Sequence, residues 1–378
     1  MQTYTQAAVS EAANRARHLM EQKIETGRAS AAALYERVHS SVPADAVVRG
    51  RGMKFGYDLL QPGITVEAGG SAMTVHQNAL QQMASKAGIP GKFLTDLGAA
   101  PEPWKRELAA RTLGDFFGRT VVHQVDDLST TRHLIRSVNG QVRACLSDRY
   151  RRLDSRPLLE AFAESCQALG AVPVEGTATD TRVALKAYLP IVFEPVPNEV
   201  MCLGVEWANS DFGRGTHALR MFIFRLWCSN GATMEDAMSQ VHLGGRLAET
   251  VEFSDRTYAL DTRTSVSALR DVVAGSLGPR GVDTVLDTIR AADAKKVDWK
   301  QVSTQLGKKL LKEELKSVRD AFDSDDCINL PAAKSVWRVS NAISWIAGKT
   351  EDADRKLDLQ RIAGAIINGG KMDDVAAA

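Results

Sequence analysis

A two-residue turn at Asn139-Gly140 is the feature that most constrains how this chain can fold. Asn-Gly is the pair most typical of a tight β-hairpin turn, and the residues on both sides of it, 131–138 and 141–147, are suited to strands. A two-residue turn also fixes the register of the two strands. With this register, Arg136 is predicted to lie directly opposite Arg143.

These opposed arginines require a negative charge nearby. Like charges that face each other across two strands destabilise a sheet, and alternation places Arg132 on the same face as the pair. The stretch 132–156 holds seven arginines and two acids, a surplus of five positive charges. The partner is either internal, from carboxylates such as Glu206 and Asp211, or external, such as a phosphate group. The sequence leaves both alternatives open.

The order of the predicted elements indicates the fold class. Short strands joined by glycine turns are predicted in 46–75, before the hairpin, and further strands after it, at 171–177, 182–189, 200–208 and 217–228. From about residue 262 to the end the spacing of apolar residues is helical. Strands followed by helices predict an α+β fold, in which a hairpin-rich, mainly antiparallel sheet backed by helices precedes an all-helical C-terminal domain.

A chain of 378 residues fits two or three domains. The pattern divides it into an N-terminal helical arm (1–45), an α+β core domain (46–258) and a helical C-terminal domain (259–378). The arm is rich in alanine, and such a helix docks either on its own domain or on a partner. We expect the protein to form a homo-oligomer through this arm.

The overall charge is balanced, with 47 basic and 46 acidic side chains and a formal net charge of +1. Histone-like proteins and proteins that bind DNA through a charged tail are far more basic, so the balance argues against these classes. Any surface that binds nucleic acid must therefore be a local patch of positive charge.

The cysteines and the N-terminus indicate where the protein resides. Five cysteines, an odd number, form no Cys-x-x-Cys pair, which is typical of reduced thiols rather than of disulfides or a zinc site. The N-terminus lacks the apolar segment of a signal peptide, and no run approaches the about 18 apolar residues of a membrane span. We expect a cytoplasmic protein that makes no contact with a membrane.

A second basic segment has aromatic residues between its arginines. Residues 212–230 contain no acid and hold Arg214, Arg220 and Arg225, with Phe222, Phe224 and Trp227 interleaved. Proteins that bind single strands use this combination, because bases stack on aromatic rings while cations follow the phosphates. The alternative is a buried central strand, since 219–227 is almost continuously apolar. Arg214 lies between two glycines in a predicted loop and is the better ligand candidate.

A third basic stretch, residues 295–319, is built mainly from lysines on predicted helices. It holds eight basic residues and three acids, again a surplus of five positive charges. A solvated helix face usually has this composition, and a DNA strand or duplex can pass over the same face. The sequence does not decide between these two possibilities.

The sequence contains none of the common catalytic or cofactor motifs. The phosphate-binding loop GxxxxGK[ST], the dinucleotide motif GxGxxG after a strand, HExxH and GxSxG are all missing. We therefore expect no cofactor and no metal, and a protein that is not an enzyme.

Three segments together resemble a known family. They are HQNALQQMASKAGIPGKFLTDL (76–97), VRACLSDRYRRLD (142–154) and NSDFGRGTHALRMFIFRLWCSNGATM (209–234). This combination is similar to the phage- and plasmid-borne family called domain of unknown function 932. The resemblance implies a protein of mobile elements, encoded beside genes for recombination and anti-restriction, and it assigns no role to any single residue.

These observations lead to a functional hypothesis. We expect a non-enzymatic DNA-binding protein of phage or plasmid DNA metabolism, acting in the bacterial cytoplasm, and more specifically a single-strand annealing or recombination-mediating protein. Its partner would be single-stranded DNA, held on an arginine-rich sheet surface. Phe212 would help to support the bases. The residues predicted to contact DNA are Arg132, Arg136, Arg143, Arg149, Tyr150, Arg151, Arg152, Arg214, Arg220 and Arg225.

Two other classes of function stay open. The same arginines would suit an acidic surface of a host protein, as in an anti-restriction or takeover factor. A metal-dependent nuclease would rely instead on Asp148, Glu206 and Asp211.

Overall fold

The computed structural model describes residues 11–118, 127–197, 199–225, 231–240, 254–297, 299–324 and 330–368. Within them the chain has the predicted α+β fold, and its strands are divided between two sheets rather than gathered in one. Trp227 and its neighbours, residues 226–230 within the segment 209–234, lie outside the described residues.

The first sheet contains six strands and begins after a long helix, α1 (Glu11–Ser40). The strands are β1 (Ala44–Arg49), β2 (Lys54–Tyr57), β3 (Ile64–Ala68), β4 (Ser71–Val75), β5 (Arg132–Val138) and β6 (Gln141–Ser147). Their spatial order is β1-β5-β6-β4-β3-β2, and all neighbours are antiparallel except β4 and β6. The helices α2 (Gln77–Lys86), α3 (Gly91–Gly98) and α4 (Pro103–Gly118) contribute to the core of this sheet.

The second sheet follows α5 (Ser155–Ala168). Its strands are β7 (Val172–Ala178), β8 (Val183–Tyr188), β9 (Phe193–Val196), β10 (Glu199–Asn209), β11 (His217–Arg225) and β12 (Gly231–Gln240). The order is β12-β11-β10-β8-β7, with β9 beside β10, and all pairs are antiparallel. Four of these strands match sequence predictions, whereas the sequence, polar in this region, gave no signal for β12.

The helical pattern predicted for the C-terminal region is confirmed. It forms α6 (Asp255–Leu277), α7 (Pro279–Ala294), α8 (Trp299–Leu306), α9 (Lys312–Asp323), α10 (Val336–Lys349) and α11 (Ala353–Ile367). Buried residues of most of these helices share one apolar cluster with α1, α5 and the second sheet. The division into three domains stays a prediction. Among the described helices, none is both long and apolar enough to cross a membrane.

The helix α1 packs on its own chain, against β7. A Cβ atom on Gly27 would lie 1.7 Å from the carbonyl oxygen of Val174, and one on Gly176 would lie 2.4 Å from that of Ser30. The two backbones can approach this closely only because both positions are glycine. The Ser30 hydroxyl also accepts a hydrogen bond of 3.0 Å from the Gly176 N–H.

The core of the first sheet encloses a histidine. His133 is fully buried, its ring is edge-on to Phe117 at 5.2 Å, and its Nε2 lies 3.3 Å from the carbonyl oxygen of Leu128. Among the described residues, none forms a hydrogen bond with its Nδ1 atom. Burial, together with the positive charge of Lys86, lowers the pKa of His133 to about 4, because the charged ring would lose its hydration.

We predict that His133 makes the protein less stable in mild acid. In the unfolded chain His133 binds a proton near its ordinary pKa of 6.5, and in the folded protein only near 4. The neutral ring therefore makes its full contribution to the unfolding free energy above about pH 6.5, and this contribution is lost as the pH falls toward 4. Wild type should lose about 3 kcal/mol more unfolding free energy over this interval than His133→Gln. Urea denaturation at several pH values measures the difference, and parallel pH profiles would contradict the prediction.

Candidate nucleic-acid interface

The hairpin at Asn139-Gly140 forms as predicted, but the register beyond it differs. Both turn residues have positive φ, 51° and 75°, as a type I′ turn requires. The first two residue pairs after the turn have the predicted register. The register then shifts by one residue, so that Arg136 lies opposite Ala144. The predicted opposition of Arg136 and Arg143 is therefore wrong. A β-bulge makes Arg143 an extra residue of β6, and such a bulge redirects side chains near it.

Arg136 is buried and held by internal acceptors. Its side chain is 1% exposed, and it donates to Asp45 Oδ1 at 2.7 Å and to Asp154 Oδ1 at 2.7 Å. Its Nη1 donates to the carbonyl oxygen of Asp211 at 2.8 Å. Burial alone would lower the pKa of Arg136, but Asp154 and Asp45 raise it above its ordinary value. The negative partner that the sequence required is thus internal at this position.

The loop after β10 connects Arg136 to the second sheet. Asp211 Oδ1 accepts hydrogen bonds from the backbone N–H and the hydroxyl of Ser155, at 2.8 and 2.7 Å. Ser210 donates to the carbonyl oxygen of Thr181 at 2.7 Å. Burial and the neighbouring Asp154 raise the pKa of Asp211 to about 6. The loop therefore joins elements of both sheets through polar contacts.

Tyr150 and Phe212 belong to the same junction and are both buried. The Tyr150 hydroxyl donates to the carbonyl oxygen of Ser210 at 3.1 Å, and burial raises the pKa of Tyr150. The guanidinium of Arg143 lies over the ring of Phe212, with its Cζ atom 5.7 Å from the ring centroid. In this conformation neither ring is exposed to a base.

Two amide side chains that the sequence pattern did not indicate complete the junction. Asn78 donates to the carbonyl oxygens of Arg143 and Phe212, both at 3.0 Å. Gln82 donates to Phe212 O at 2.8 Å and accepts from the Cys145 N–H at 2.8 Å. The three segments that carry the family resemblance are thus hydrogen-bonded to one another. Asn78 and Gln82 are polar and four residues apart on α2, and this spacing was the sequence signal that could have indicated a shared contact.

Arg143, Arg151 and Arg152 also have partners within the chain. Arg143 is buried, and its guanidinium lies 3.2 Å from the carbonyl oxygen of Asp180 and 3.6 Å from its carboxylate. Arg151 forms a two-bond contact with Asp261, at 2.6 and 2.5 Å, which raises the pKa of Arg151.

Arg152 has both an anionic and an aromatic neighbour. Its Nε lies 3.4 Å from Asp45 Oδ2, and its guanidinium lies 4.7 Å from the ring centroid of Tyr258. Asp45 therefore serves both Arg152 and Arg136. Some of the carboxylates that pair the arginines of the hairpin region, such as Asp45, Asp180 and Asp261, come from distant parts of the sequence.

The arginines of the second basic segment lie in different surroundings. Arg225 is buried and forms two contacts with Glu199, at 2.6 and 2.7 Å, while Arg220 is buried 3.5 Å from Glu206. Arg214 is 35% exposed, with Gln81 Oε1 at 3.3 Å and an Asp354 oxygen at 3.9 Å.

The described aromatic residues of this segment are buried in a central strand. Phe222 and Phe224 stack on Tyr188, with ring centroids 5.0 and 5.2 Å away. Of the two alternatives considered for these rings, the buried strand is the observed one. Stacking of bases on them would require the sheet to open.

Arg132 and Arg149 are only partly buried, unlike Arg136 and Arg143. Arg132 is 27% exposed, with Asp148 at 3.6 Å, and lies directly opposite Arg49 of β1. Arg49 and Arg51 are exposed, and Arg149 is half-buried. A like-charge pair across two strands therefore exists here, between Arg49 and Arg132, at an edge of the first sheet.

The carboxylates considered for a nuclease lie in separate contacts. Glu206 is 3.6 Å from Lys186 and 3.5 Å from Arg220, Asp211 binds Ser155, and Asp148 lies beside Arg132. Within the described part of the chain, no three potential metal-ligating side chains come together.

The third basic stretch presents its lysines to solvent. Lys295, Lys296, Lys308, Lys312 and Lys316, here called the lysine surface, are all exposed. In the described part of the chain, their ammonium groups have no carboxylate within ion-pair distance. Arg319 lies over the ring of Trp299 at 4.8 Å, so the end of α9 adjoins the start of α8. The solvated-face and strand-binding alternatives both remain compatible with this placement.

A scan against protein-family models finds no family that matches this chain, and searches of curated proteins and of solved structures find no significant match. The resemblance to domain of unknown function 932 therefore stays a prediction that depends on the three segments.

We predict that Arg136 stabilises the fold more than any other hairpin arginine. Its removal leaves Asp45 and Asp154 beside each other without their shared cation, and loss of one partner of a buried ion pair costs about 3–5 kcal/mol. Arg136→Met should lower the unfolding free energy by about this amount in urea denaturation. The matched Arg149→Met change should alter it by less than about 0.5 kcal/mol. Equal effects of the two changes would contradict the prediction.

Proposed function

We propose that this protein is a non-enzymatic DNA-binding protein of phage or plasmid DNA metabolism, and that the lysine surface contacts the phosphates. The proposal is supported by the uncompensated positive charge of that surface. Its five lysines are exposed and lack internal carboxylate partners in the described part of the chain. Such charges release condensed counterions when they contact a nucleic-acid backbone, which is the main source of sequence-independent affinity.

The lysine surface suits this role better than the hairpin arginines do. Arg136, Arg143 and Arg225 are buried and paired inside the protein. A phosphate could reach them only if their carboxylates were displaced, at a cost of several kcal/mol for each opened pair. The exposed lysines need no such rearrangement. Arg49 at the edge of the first sheet is exposed, and Arg132 opposite it and Arg149 are partly exposed, so these three arginines offer a second contact.

The annealing or recombination role is part of the same proposal. Lysines recognise phosphates, which single strands and duplexes both present, so binding should be measured with both forms. Annealing of two complementary strands, with and without the protein, tests the finer role. Binding without faster annealing would keep the DNA-binding proposal and reject the annealing role.

We predict that two lysines of α9 make salt-sensitive contacts with DNA. Lys312 and Lys316 are one helical turn apart, so one strand can contact both. Lys312→Gln/Lys316→Gln should reduce the slope of log affinity against log salt by about 1.4 for single strands, at about 0.7 for each lost phosphate contact. A salt-titrated mobility-shift assay measures this slope.

The control removes two exposed lysines that already have carboxylate partners. Lys54 lies 3.3 Å from Glu67, and Lys92 lies 2.8 Å from Asp96. Lys54→Gln/Lys92→Gln should leave the salt slope unchanged. No binding at low salt, or equal slopes for the two double variants, would reject the lysine surface as the DNA contact.

A protein-binding function is the second candidate, and an exposed apolar patch favours it. Leu59 and Leu60 are 67% and 93% exposed, and Trp104 of α4 is 62% exposed. The buried Arg106 holds the loop against α4 through hydrogen bonds to the carbonyl oxygens of Asp58 and Leu59, at 2.9 and 3.1 Å. A rigid loop that presents large apolar side chains is typical of a surface that binds another protein.

We predict that this patch reduces solubility unless a protein covers it. Leu60→Ser/Trp104→Ser should raise the protein concentration at which light scattering detects association, because it removes two large exposed apolar side chains of the patch. It should leave DNA binding unchanged. If association is the same in wild type and variant, and photocrosslinkers at residue 60 capture no host protein, the second candidate is rejected.

A further inference from the structure

The strand β1 forms one edge of the first sheet, and the outer side of this strand is open. Its neighbour in the sheet is β5, and in the described part of the chain no residue forms a backbone hydrogen bond with its other side. In the second sheet, by contrast, the edge strand β7 is covered by α1. An open edge strand offers N–H and carbonyl groups with which a strand of another chain can pair.

The hydrogen bonds to β5 determine which residues of β1 face outward. The N–H of Gly50, directly after β1, donates to the carbonyl oxygen of Thr131, directly before β5, at 3.1 Å. In an antiparallel pair the backbone groups of every second residue point toward the neighbouring strand, so this hydrogen bond sets the phase for all of β1. The residues that direct their N–H and carbonyl groups away from β5 are Asp45, Val47 and Arg49.

These outward residues place a charge at each end of the open edge and an apolar side chain between them. Val47 is 40% exposed, and Arg49 is exposed. Arg49 lies directly opposite Arg132 of β5, and like charges in this position destabilise a sheet. In the described part of the chain, no carboxylate lies within ion-pair distance of the Arg49 guanidinium. A negative charge beside Arg49 would therefore stabilise the edge.

Two copies of β1 complement each other when they run antiparallel with Val47 at the centre. Val47 of one copy would then lie opposite Val47 of the other, and Asp45 of each copy would lie opposite Arg49 of the other. Every outward residue would exchange a pair of hydrogen bonds with an outward residue of the second strand. The same register therefore satisfies the open backbone groups and brings a carboxylate to Arg49.

The two charges also disfavour other registers. A pair centred on Asp45 would bring two carboxylates together, and a pair centred on Arg49 would bring two guanidinium groups together. Centring the pair on Ala46 would place Arg49 opposite Pro43, which has no N–H to donate. Charges on an edge strand usually hinder its pairing with other strands. In β1 they hinder most pairings and favour the one with a second copy.

We propose that two copies of this chain associate through β1, so that their first sheets form one continuous sheet. Asp45 of each copy then lies between Arg136 of its own β5 and Arg49 of the second copy. The Asp45 side chain is 21% exposed, so a further cation can reach it. One pair of edge strands buries less area than a standard interface, so the dimer is weak and forms at high protein concentration.

This dimer goes beyond the proposed DNA binding and does not depend on it. The lysine surface contains no residue of β1. Arg49 is the residue that the two proposals share, and in the dimer it is engaged with Asp45 of the second copy. The lysine surface is therefore the DNA contact that both the single chain and the dimer keep.

Arg49→Glu provides the central test, with Arg51→Glu as the matched control. Both arginines are exposed, and Arg51 lies just beyond β1. Arg49→Glu exchanges two attractive charge pairs for two repulsive ones, so it should raise the dimer dissociation constant at least about tenfold in sedimentation velocity. Arg51→Glu should change this constant less than about threefold. Within one chain the introduced carboxylate faces Arg132, so Arg49→Glu should melt no lower than wild type.

Cysteine crosslinking tests the register. Val47→Cys brings two thiols to the centre of the pair, where facing residues have Cα atoms about 5.5 Å apart, a separation that a disulfide can span. Val42→Cys is the control, because Val42 is 53% exposed but lies outside β1. Mild oxidation should yield a covalent dimer of Val47→Cys and little or none of Val42→Cys.

Several outcomes would overturn the proposal. These are a wild type that stays monomeric at every concentration at which it is soluble, equal effects of Arg49→Glu and Arg51→Glu on the dimer, or equal crosslinking of Val47→Cys and Val42→Cys. A dimer that persists in Arg49→Glu would instead form through another surface, such as α1. Lys312→Gln/Lys316→Gln should dimerise like wild type, so the dimer and the DNA contact can each fail alone.

Discussion

The contacts of Arg136 are the interaction on which the arrangement of the two sheets most depends. One buried guanidinium reaches Asp45 on β1, Asp154 before α5 and the backbone of Asp211 after β10. These three elements are far apart in the sequence, and the guanidinium brings them together. Asn78 and Gln82 then fix the Phe212 carbonyl from α2. The first sheet is therefore joined to the second by polar contacts whose geometry is more restrictive than apolar packing.

The sequence predicted the features that depend on local chemistry. Asn139 and Gly140 are sufficient to specify the turn, because both residues readily adopt positive φ. It did not predict the bulge at Arg143, which depends on contacts across the molecule. It also left the partners of the arginines open, because Asp45 is 91 residues from Arg136 and no local pattern connects them. Four strands of the second sheet were predicted from their apolar runs, whereas the polar β12 had no such run.

Two stretches with the same charge surplus have opposite surroundings. In the hairpin region the arginines meet carboxylates from β1, α6 and the loop before β8. In the stretch from the end of α7 to α9 the lysines face solvent. Arginine suits the first setting, because its planar group makes several fixed hydrogen bonds, and lysine suits the second, because its ammonium group stays hydrated. The kind of basic residue was thus a better guide to burial than the charge count was.

The contact between α1 and β7 has a consequence for how copies of this chain can meet. β7 is the last strand of the second sheet, and an edge strand exposes N–H and carbonyl groups that can pair with another chain. Ser30 satisfies the Gly176 N–H, and the glycine contact holds the helix directly against the strand. The helix therefore covers this edge and prevents it from pairing with a strand of another molecule. If α1 moved away from β7, the exposed edge strand could pair with a strand of a second molecule, and the sheet would extend across both chains.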